Sequence, residues 1–245
     1  SGGQSGGALG ALVEALGDAD AGVRVAALDS VRSTAVVVDR DLKLANRILQ
    51  RLEDPDANVR RSAVGALGML PKDDADIVYS LLHKIEYGSE ETRRAAIQAL
   101  PNLVTPGSES AIKVAMLGLR DSEASVREAS IQECKGGSVA PMGHARAVSA
   151  LLQHVQHAYP ATRQAALAAL PHICPAKQDP HMSAVPAIVV CLSDTDWAVR
   201  REAAKCAGML GDRLEERMMQ ALNGLLEDEE AHVAEAAKKA LQQLV

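Results

Sequence analysis

The architecture of this chain follows from one stretch, Asp54-Pro55-Asp56-Ala57-Asn58-Val59-Arg60-Arg61-Ser62-Ala63-Val64-Gly65-Ala66-Leu67. Its pattern, D-x-x-x-x-V-R-x-x-A-x-x-A-L, recurs at intervals of 33 to 37 residues. The repeated arginines are Arg24, Arg60, Arg93, Arg127, Arg163 and Arg200. A seventh copy passes through Val233 and has Ala234 in place of the arginine. A repeat of this length predicts a stacked array, in which no unit is stable without its neighbours.

Each copy predicts two helices. Positions −1, +3, +7 and +10 from the arginine are apolar or small, which is the period of an amphipathic helix. Another apolar periodic segment precedes each motif, so a repeat consists of helix A, a turn that carries Asp, and helix B. We expect a flexible Gly/Ser-rich leader over residues 1–7 and a solenoid over residues 8–245. The predicted repeats lie near 8–34, 38–71, 73–104, 108–137, 141–174, 180–210 and 212–245.

The composition also favours an all-α fold. The chain has 245 residues, 47% of them hydrophobic, but contains no Phe and a single Trp. A core without large aromatic rings depends on Ala, Leu and Val, which suit closely packed helices. The absence of an initial Met leaves the natural N-terminus open, and whether further repeats follow Val245 is also open.

The turn Asp, the Val-Arg pair and the following Ala-x-x-Ala-Leu resemble HEAT repeats, in particular the short repeats of phycobilisome bilin lyases. The resemblance covers residues 8 to 245. It implies an all-α, right-handed α-solenoid of about seven helical hairpins. The tetratricopeptide pattern of Trp, Gly and Tyr and the ankyrin Thr-Pro-Leu-His pattern are both absent.

In HEAT proteins the repeated Asp and Arg usually form a ladder between neighbouring repeats. A planar guanidinium can bridge a carboxylate and backbone carbonyl groups, so we interpret the arginines as structural rather than as a ligand-binding row. The predicted ladder consists of Asp18, Arg24, Asp54, Arg60, Arg93, Asp121, Arg127, Arg163, Asp194, Arg200 and Asp228.

Copies three and five depart from the pattern. Tyr87 and His157 replace the turn Asp, and Thr92 and Thr162 replace Val. Both copies end helix B with Ala-Leu-Pro, and proline cannot continue a helix without losing a hydrogen bond. We therefore hypothesise a two-repeat superperiod with alternating curvature.

The histidines raise the question of a metal site. Five of the seven fall within residues 144–181: His144, His154, His157, His172 and His181. Asp179 and Cys174 could add ligands, but the spacing matches no defined motif. Solvated or loosely packed histidines are therefore expected, and no cofactor or metal is predicted. Trp197 begins a helix B and is interpreted as a packing residue, with a binding anchor as the alternative.

No catalytic site is predicted. Deoxyhypusine hydroxylases resemble this fold and bind iron through His-Glu pairs, but no His-Glu dipeptide occurs here. The formal net charge of −6 and the 2% aromatic content argue against nucleic acid as a partner. No segment is apolar enough to span a membrane. The four cysteines form no C-x-x-C pair, so buried free thiols in a reducing intracellular compartment, cytoplasmic or organellar, are expected.

The predicted partner-binding surface is the face of the B helices opposite the core, at positions +1 and +5. Its candidate residues are Arg61, Arg94, Gln98, Glu128, Gln132, Gln164, Arg201 and Lys205. This concave face suits a segment of a partner, so we expect a non-enzymatic scaffold or adaptor subunit of a larger assembly. The alternative implied by the resemblance is a bilin-lyase-type subunit that assists tetrapyrrole attachment to a photosynthetic antenna protein.

Overall fold

A computed structural model describes residues 2–33, 42–175, 184–210 and 216–244. The described residues are helical, with fifteen α-helices and no strand. None of these helices is both long and apolar enough to cross a membrane. The chain divides into two compact units, Ser1–Thr105 and Pro106–Val245. One solenoid over residues 8–245 stays a prediction. The division falls between the third and the fourth copy.

Unit 1 contains three A helices, each followed by a B helix. Its helices are α1 (Gly2–Ala15), α2 (Ala21–Ser33), α3 (Leu42–Gln50), α4 (Ala57–Ala66), α5 (Ala75–Tyr87), α6 (Glu90–Gln98) and α7 (Leu100–Leu103). The B helices α2, α4 and α6 pack side by side, and the A helices α1, α3 and α5 form the other layer. Helix α1 begins at Gly2, where the sequence analysis expects a flexible leader over residues 1–7. That segment contains glycines, which weaken a helix, but no proline to end it.

Unit 2 repeats the same arrangement with four A helices and four B helices. Its helices are α8 (Glu109–Leu119), α9 (Ala124–Lys135), α10 (Ala145–Val155), α11 (Pro160–Ala169), α12 (Val185–Leu192), α13 (Trp197–Leu210), α14 (Glu216–Gly224) and α15 (Ala231–Leu244). The B helices α9, α11, α13 and α15 are neighbours in that order, and the A helices α8, α10, α12 and α14 form the second layer.

The core lies between the two layers and is built from aliphatic side chains. Val59, Ala63 and Leu67 of the second copy are fully buried, as the helical period predicts. The small residue at position +3 is buried in every copy: Ala27, Ala63, Ala96, Ser130, Ala166, Ala203 and Ala237. A small side chain at this position allows neighbouring helices to approach closely.

Side chains in the A–B turns cap the B helices. Asp56 accepts hydrogen bonds from the backbone N–H groups of Asn58 and Val59 at the start of α4. Ser89 caps α6 in the same way through Thr92. These bonds satisfy donors that a helix N-terminus otherwise leaves free, and they fix where each B helix begins.

The B helices of copies three and five end at their Ala-Leu-Pro segments. Helix α6 ends at Gln98 and α11 ends at Ala169, each followed by a short turn of helix that contains the proline. Helices α13 and α15 lack this segment and have 14 residues each, but α4 also lacks it and has 10 residues, as α11 does. The alternating curvature that we infer from this two-repeat pattern stays a prediction.

Candidate functional site

The repeated arginines have two kinds of hydrogen-bond partner. In unit 2, the Nη1 group of Arg163 donates to the backbone carbonyl groups of His157 and Ala158 in its own A–B turn, at 2.9 and 3.0 Å. Its Nε and Nη2 groups donate to both carboxylate oxygens of Asp194 in the next turn, at 2.8 and 2.7 Å. One guanidinium therefore closes its own turn and ties it to the following repeat.

The same bidentate contact recurs in both units. Arg200 binds Asp228 at 2.8 and 2.9 Å. In unit 1, Arg24 binds Asp54 at 2.8 and 2.7 Å, and Arg51 adds a contact to Asp54 at 3.1 Å. Three of the predicted ladder steps are thus brought together as arginine–carboxylate pairs, each between adjacent copies.

Backbone groups also take part in the ladder. Arg93 donates to the carbonyl group of Gly88, and Asp18 accepts from Arg24 through its backbone carbonyl group. The side chains of Asp18 and Asp121 each accept from a backbone N–H group two residues further on, those of Asp20 and Glu123.

Arg60 and Arg127 differ from the paired arginines. Within the described residues, each donates only to carbonyl groups of its own turn: Arg60 to Asp54 and Pro55, and Arg127 to Asp121 and Ser122. The position that would supply the carboxylate is Tyr87 for Arg60 and His157 for Arg127. We call each of these two steps a ladder gap.

The ion pairs shift the pKa values of their members. Burial raises the pKa of the Asp194 carboxyl while the hydrogen bonds from Arg163 lower it, and the balance lies below the ordinary value. The hydrogen bond from Arg200 is the largest influence on Asp228 and lowers its pKa. Both carboxylates are therefore charged at neutral pH and hold the arginines in place.

Seven of the eight candidate binding residues line two grooves along the B helices, and two of the seven, Arg201 and Lys205, also line a third groove. In unit 1, a groove of ≈ 220 Å³ is bounded by α4 and α6 and contains Arg61, Arg94 and Gln98. We call it the unit 1 groove. Arg60, Glu91 and small alanines complete its lining.

The unit 2 groove has a volume of ≈ 340 Å³. It runs along α11, with α9 and α13 on either side. Four of the candidate residues line it: Glu128, Gln164, Arg201 and Lys205. Gln132, the eighth candidate, is exposed on α9 and does not line the groove; its amide donates to Glu128 at 2.5 Å.

Some lining residues were not among the candidates. Lys135 lies eight residues after Arg127 and joins the unit 2 groove, because two helical turns bring it back to the same face. A third groove, of ≈ 420 Å³, lies between α13 and α15 and includes Glu235 and Lys239. These two residues are the +1 and +5 positions of the seventh copy. The same positional rule would have found them if it had been extended past the last arginine.

Trp197 contacts Arg201, one of the residues that line the unit 2 groove. Its ring is 41% exposed, and the guanidinium carbon of Arg201 lies 5.1 Å from the ring centroid. The centroid of the His232 ring lies 6.4 Å from that of the Trp197 ring. A cation over an indole face is attracted to it, so Trp197 holds the Arg201 head group in place.

In the described part of the chain, the histidines within residues 144–181 belong to no group of three or more His, Cys, Asp or Glu side chains that could hold a metal ion. The rings of His154 and His157 are stacked with centroids 6.2 Å apart. His154 hydrogen-bonds the Ala150 carbonyl oxygen through Nδ1, and burial lowers its pKa. His144 caps α10 through Ala147. Asp179 and His181 lie outside the described residues.

All four cysteines are buried free thiols. Burial raises the pKa of Cys134 to about 12, and those of Cys174 and Cys191 to about 11. Burial also raises the pKa of Cys206. Because the thiolate is the reactive form, these side chains act as core residues at neutral pH.

Comparison with known proteins identifies the repeat. A family model described as HEAT repeats matches residues 45–135 and 148–242. A search of curated proteins gave no significant match. Among solved structures, a chain of the "Kap95:Nup1 complex" matches with a TM-score of 0.65 and 16% identity over 96% of this chain and 35% of that chain. Importin beta matches with a TM-score of 0.58 and 17% identity, over 96% of this chain and 35% of that chain.

These two structures establish the fold, and this chain spans about a third of their length. The HEAT and armadillo-like helical fold commonly mediates protein–protein interaction. Since the repeat model covers most of the sequence, and the arginine–aspartate pairs join adjacent hairpins, the chain belongs to the HEAT-repeat family.

Proposed function

We propose that this protein is a non-enzymatic scaffold that binds an extended or helical segment of a partner protein along its B helices. The observation that carries the proposal is that each unit presents a groove on this face, lined by residues from the +1 and +5 positions. The grooves are small and open to solvent, which suits the side chains of a segment laid across several helices.

The state of the ionisable groups also supports binding rather than chemistry. The thiols are buried and have raised pKa values, and the arginines with carboxylate partners hold the turns together. A catalytic site usually gathers perturbed groups in a cleft. Here the shifted carboxylates Asp194 and Asp228 are explained by the ladder.

The test is to reverse charge in the grooves and to map partner contacts. Arg61→Glu, Arg94→Glu and Arg201→Glu should together abolish partner capture, measured by affinity purification and cross-linking mass spectrometry from the native source. Wild-type cross-links should map to the B helices. The control reverses two exposed cations on A helices, Lys113→Glu and Arg146→Glu, and should leave capture unchanged; the double variant Arg61→Glu with Arg94→Glu matches it in charge and should weaken capture. Equal recovery of every partner by the groove variant would refute the proposal.

The tetrapyrrole alternative stays a separate prediction. Absorbance after mixing the protein with a bilin and an apo-antenna protein would detect it, because a covalently attached bilin changes its spectrum. No groove residue described above favours this alternative over a partner segment.

A further inference from the structure

The ladder gaps coincide with the grooves. Arg127 lines the unit 2 groove, whereas the paired arginines of the same unit, Arg163 and Arg200, do not. In unit 1, Arg60 lines the groove in the same way. Among the ladder arginines, Arg60 and Arg127, for which the described residues show no carboxylate partner, both border a candidate binding surface.

The orientation of Arg127 is set by its own turn. Its Nη1 group donates to the carbonyl groups of Asp121 and Ser122 at 2.7 and 2.6 Å. Within the described residues, its Nε and Nη2 groups donate to no acceptor. Arg163 donates its hydrogen bonds to Asp194 through the same two groups. The guanidinium of Arg127 is therefore held by one corner, and its carboxylate-binding edge has no acceptor from the described chain.

His157 occupies the place of the aspartate. Its Nδ1 accepts a hydrogen bond from the backbone N–H of Tyr159 at 3.2 Å. Asp194 does the same for Asp196 at 2.9 Å. The histidine thus preserves the local turn but supplies no carboxylate to the preceding arginine.

The unit 2 groove is basic although the whole chain has a formal net charge of −6. Its cations are Arg127, Lys135, Arg201 and Lys205, against the acids Glu128 and Glu202. Lys205 pairs with Glu202 at 3.0 Å, and Trp197 holds Arg201. The unit 1 groove has three arginines against one glutamate. Cations gathered in a groove raise the local concentration of anionic ligands.

We infer that the unit 2 groove binds an acidic segment of a partner protein, one of whose carboxylates binds Arg127 as Asp194 binds Arg163. This inference rests on the proposed function and names the chemistry of the partner. The neighbouring Arg201 and Lys205 contact further acidic side chains. The unit 1 groove, with Arg60 beside its own gap, binds the same class of segment.

The lining favours an acidic peptide over a nucleic acid. The floor contributed by α11 consists of Ala161, Gln164, Ala165 and Ala168. None of the residues lining this groove is aromatic, whereas single-stranded nucleic acids are held largely by stacking on aromatic rings. A small-residue floor leaves room for a peptide backbone, and the cations lie at its sides.

The test measures binding of defined peptides to the full chain by fluorescence anisotropy. The probe is an unstructured peptide of alternating Glu and Ser; matched peptides carry Gln or Lys in place of Glu. The Glu peptide should bind at least tenfold more tightly than either control, and its affinity should fall as salt rises from about 0.05 to 0.15 M.

The decisive variant places a carboxylate of the protein itself at each ladder gap. Tyr87→Asp with His157→Asp supplies the missing carboxylates, so the Glu peptide should bind about tenfold more weakly while the protein becomes no less stable. A misfolded variant would lose both properties. The control, Lys113→Gln with Arg146→Gln, changes the net charge equally on A helices and should leave peptide affinity unchanged.

Each contrary result has a distinct meaning. If the Gln peptide binds as tightly as the Glu peptide and groove charge reversal still abolishes partner capture, the acidic inference fails and the proposed function stands. If the gap-closing variant binds the Glu peptide as wild type does, Arg127 and Arg60 are not the binding groups and the inference fails. Tighter binding of a single-stranded oligonucleotide with the same dependence on the gaps, or no peptide binding at all, also overturns it.

Discussion

The closed steps of the ladder and its gaps contain the same arginine in the same turn. Arg163 and Arg127 both donate through Nη1 to two carbonyl groups of their own turn. Of these two, Arg163 also forms a bidentate pair, because the next A–B turn supplies Asp194. In the turn after Arg127 the same position is His157. The comparison shows that the repeated arginine has two separable tasks, to close its own turn and to bind a carboxylate. Where the described residues supply no carboxylate, the inference above assigns the second task to a partner.

The largest effect is expected from breaking a closed step. Arg163→Gln removes a bidentate pair and leaves the Asp194 carboxylate, only 11% exposed, without its cation. The free energy of unfolding should fall by about 2–3 kcal/mol, because a largely buried charge loses its compensation. Urea denaturation followed by circular dichroism measures this. In a double-mutant cycle with Asp194→Asn, the double variant should cost less than the sum of the two single variants, by at least about 1 kcal/mol. Additive effects would contradict the pair.

Acid should remove the closed steps selectively. The pKa of Asp194 in the folded protein lies below its ordinary value, so its contribution to stability is present at neutral pH and is lost as the pH falls from about 4 through the folded pKa. The stability difference between wild type and Arg163→Gln should therefore shrink by about half or more towards pH 3. Urea midpoints measured at pH 7, 4 and 3 test this. A constant difference would show that the charge of Asp194 is not what Arg163 stabilises.

Filling a gap should have a smaller and opposite effect. His157→Asp places a carboxylate where Arg127 has no described partner, and the new side chain can keep the hydrogen bond to the backbone of Tyr159, as Asp194 does for Asp196. The free energy of unfolding should rise by about 1 kcal/mol, since the pair is partly exposed. The control is His157→Asn, which keeps an acceptor without the charge and should gain little. If both variants stabilise equally, turn geometry and not the ion pair is responsible.

Much of the fold could be predicted because the repeat expresses it locally. The small residue at +3 is buried in every copy, and the residues at −1 and +7 are buried in most copies, with Val23 exposed and Leu241 only partly buried. The partners of the arginines were harder to predict, because a ladder pairs residues about 30 positions apart and the sequence does not say which copy a guanidinium faces. The gaps were visible as Tyr87 and His157, but their coincidence with the grooves required the geometry.

The surface could be predicted only in part for a related reason. The +1 and +5 rule places Arg61, Arg94 and Arg201 in grooves. It missed Lys135, because a groove between helices is also lined by the last turn of its neighbour. It included Gln132, which points out along α9 towards Glu128. A helical wheel describes one helix, whereas a groove depends on the spacing of three.

The smallest effect is expected at the gap arginines themselves. Arg127→Gln and Arg60→Gln each remove only hydrogen bonds to carbonyl groups of the arginine's own turn. Those carbonyl groups can accept from water instead, so each variant should lower the free energy of unfolding by about 0.5 kcal/mol. Urea denaturation alongside Arg163→Gln gives the contrast directly. Because the two gaps lie in different units and have the same pattern of hydrogen bonds to backbone carbonyl groups, their costs should agree within about 0.5 kcal/mol. A cost at Arg127 as large as that at Arg163 would mean that the gap is filled within the chain, and that no carboxylate is missing there.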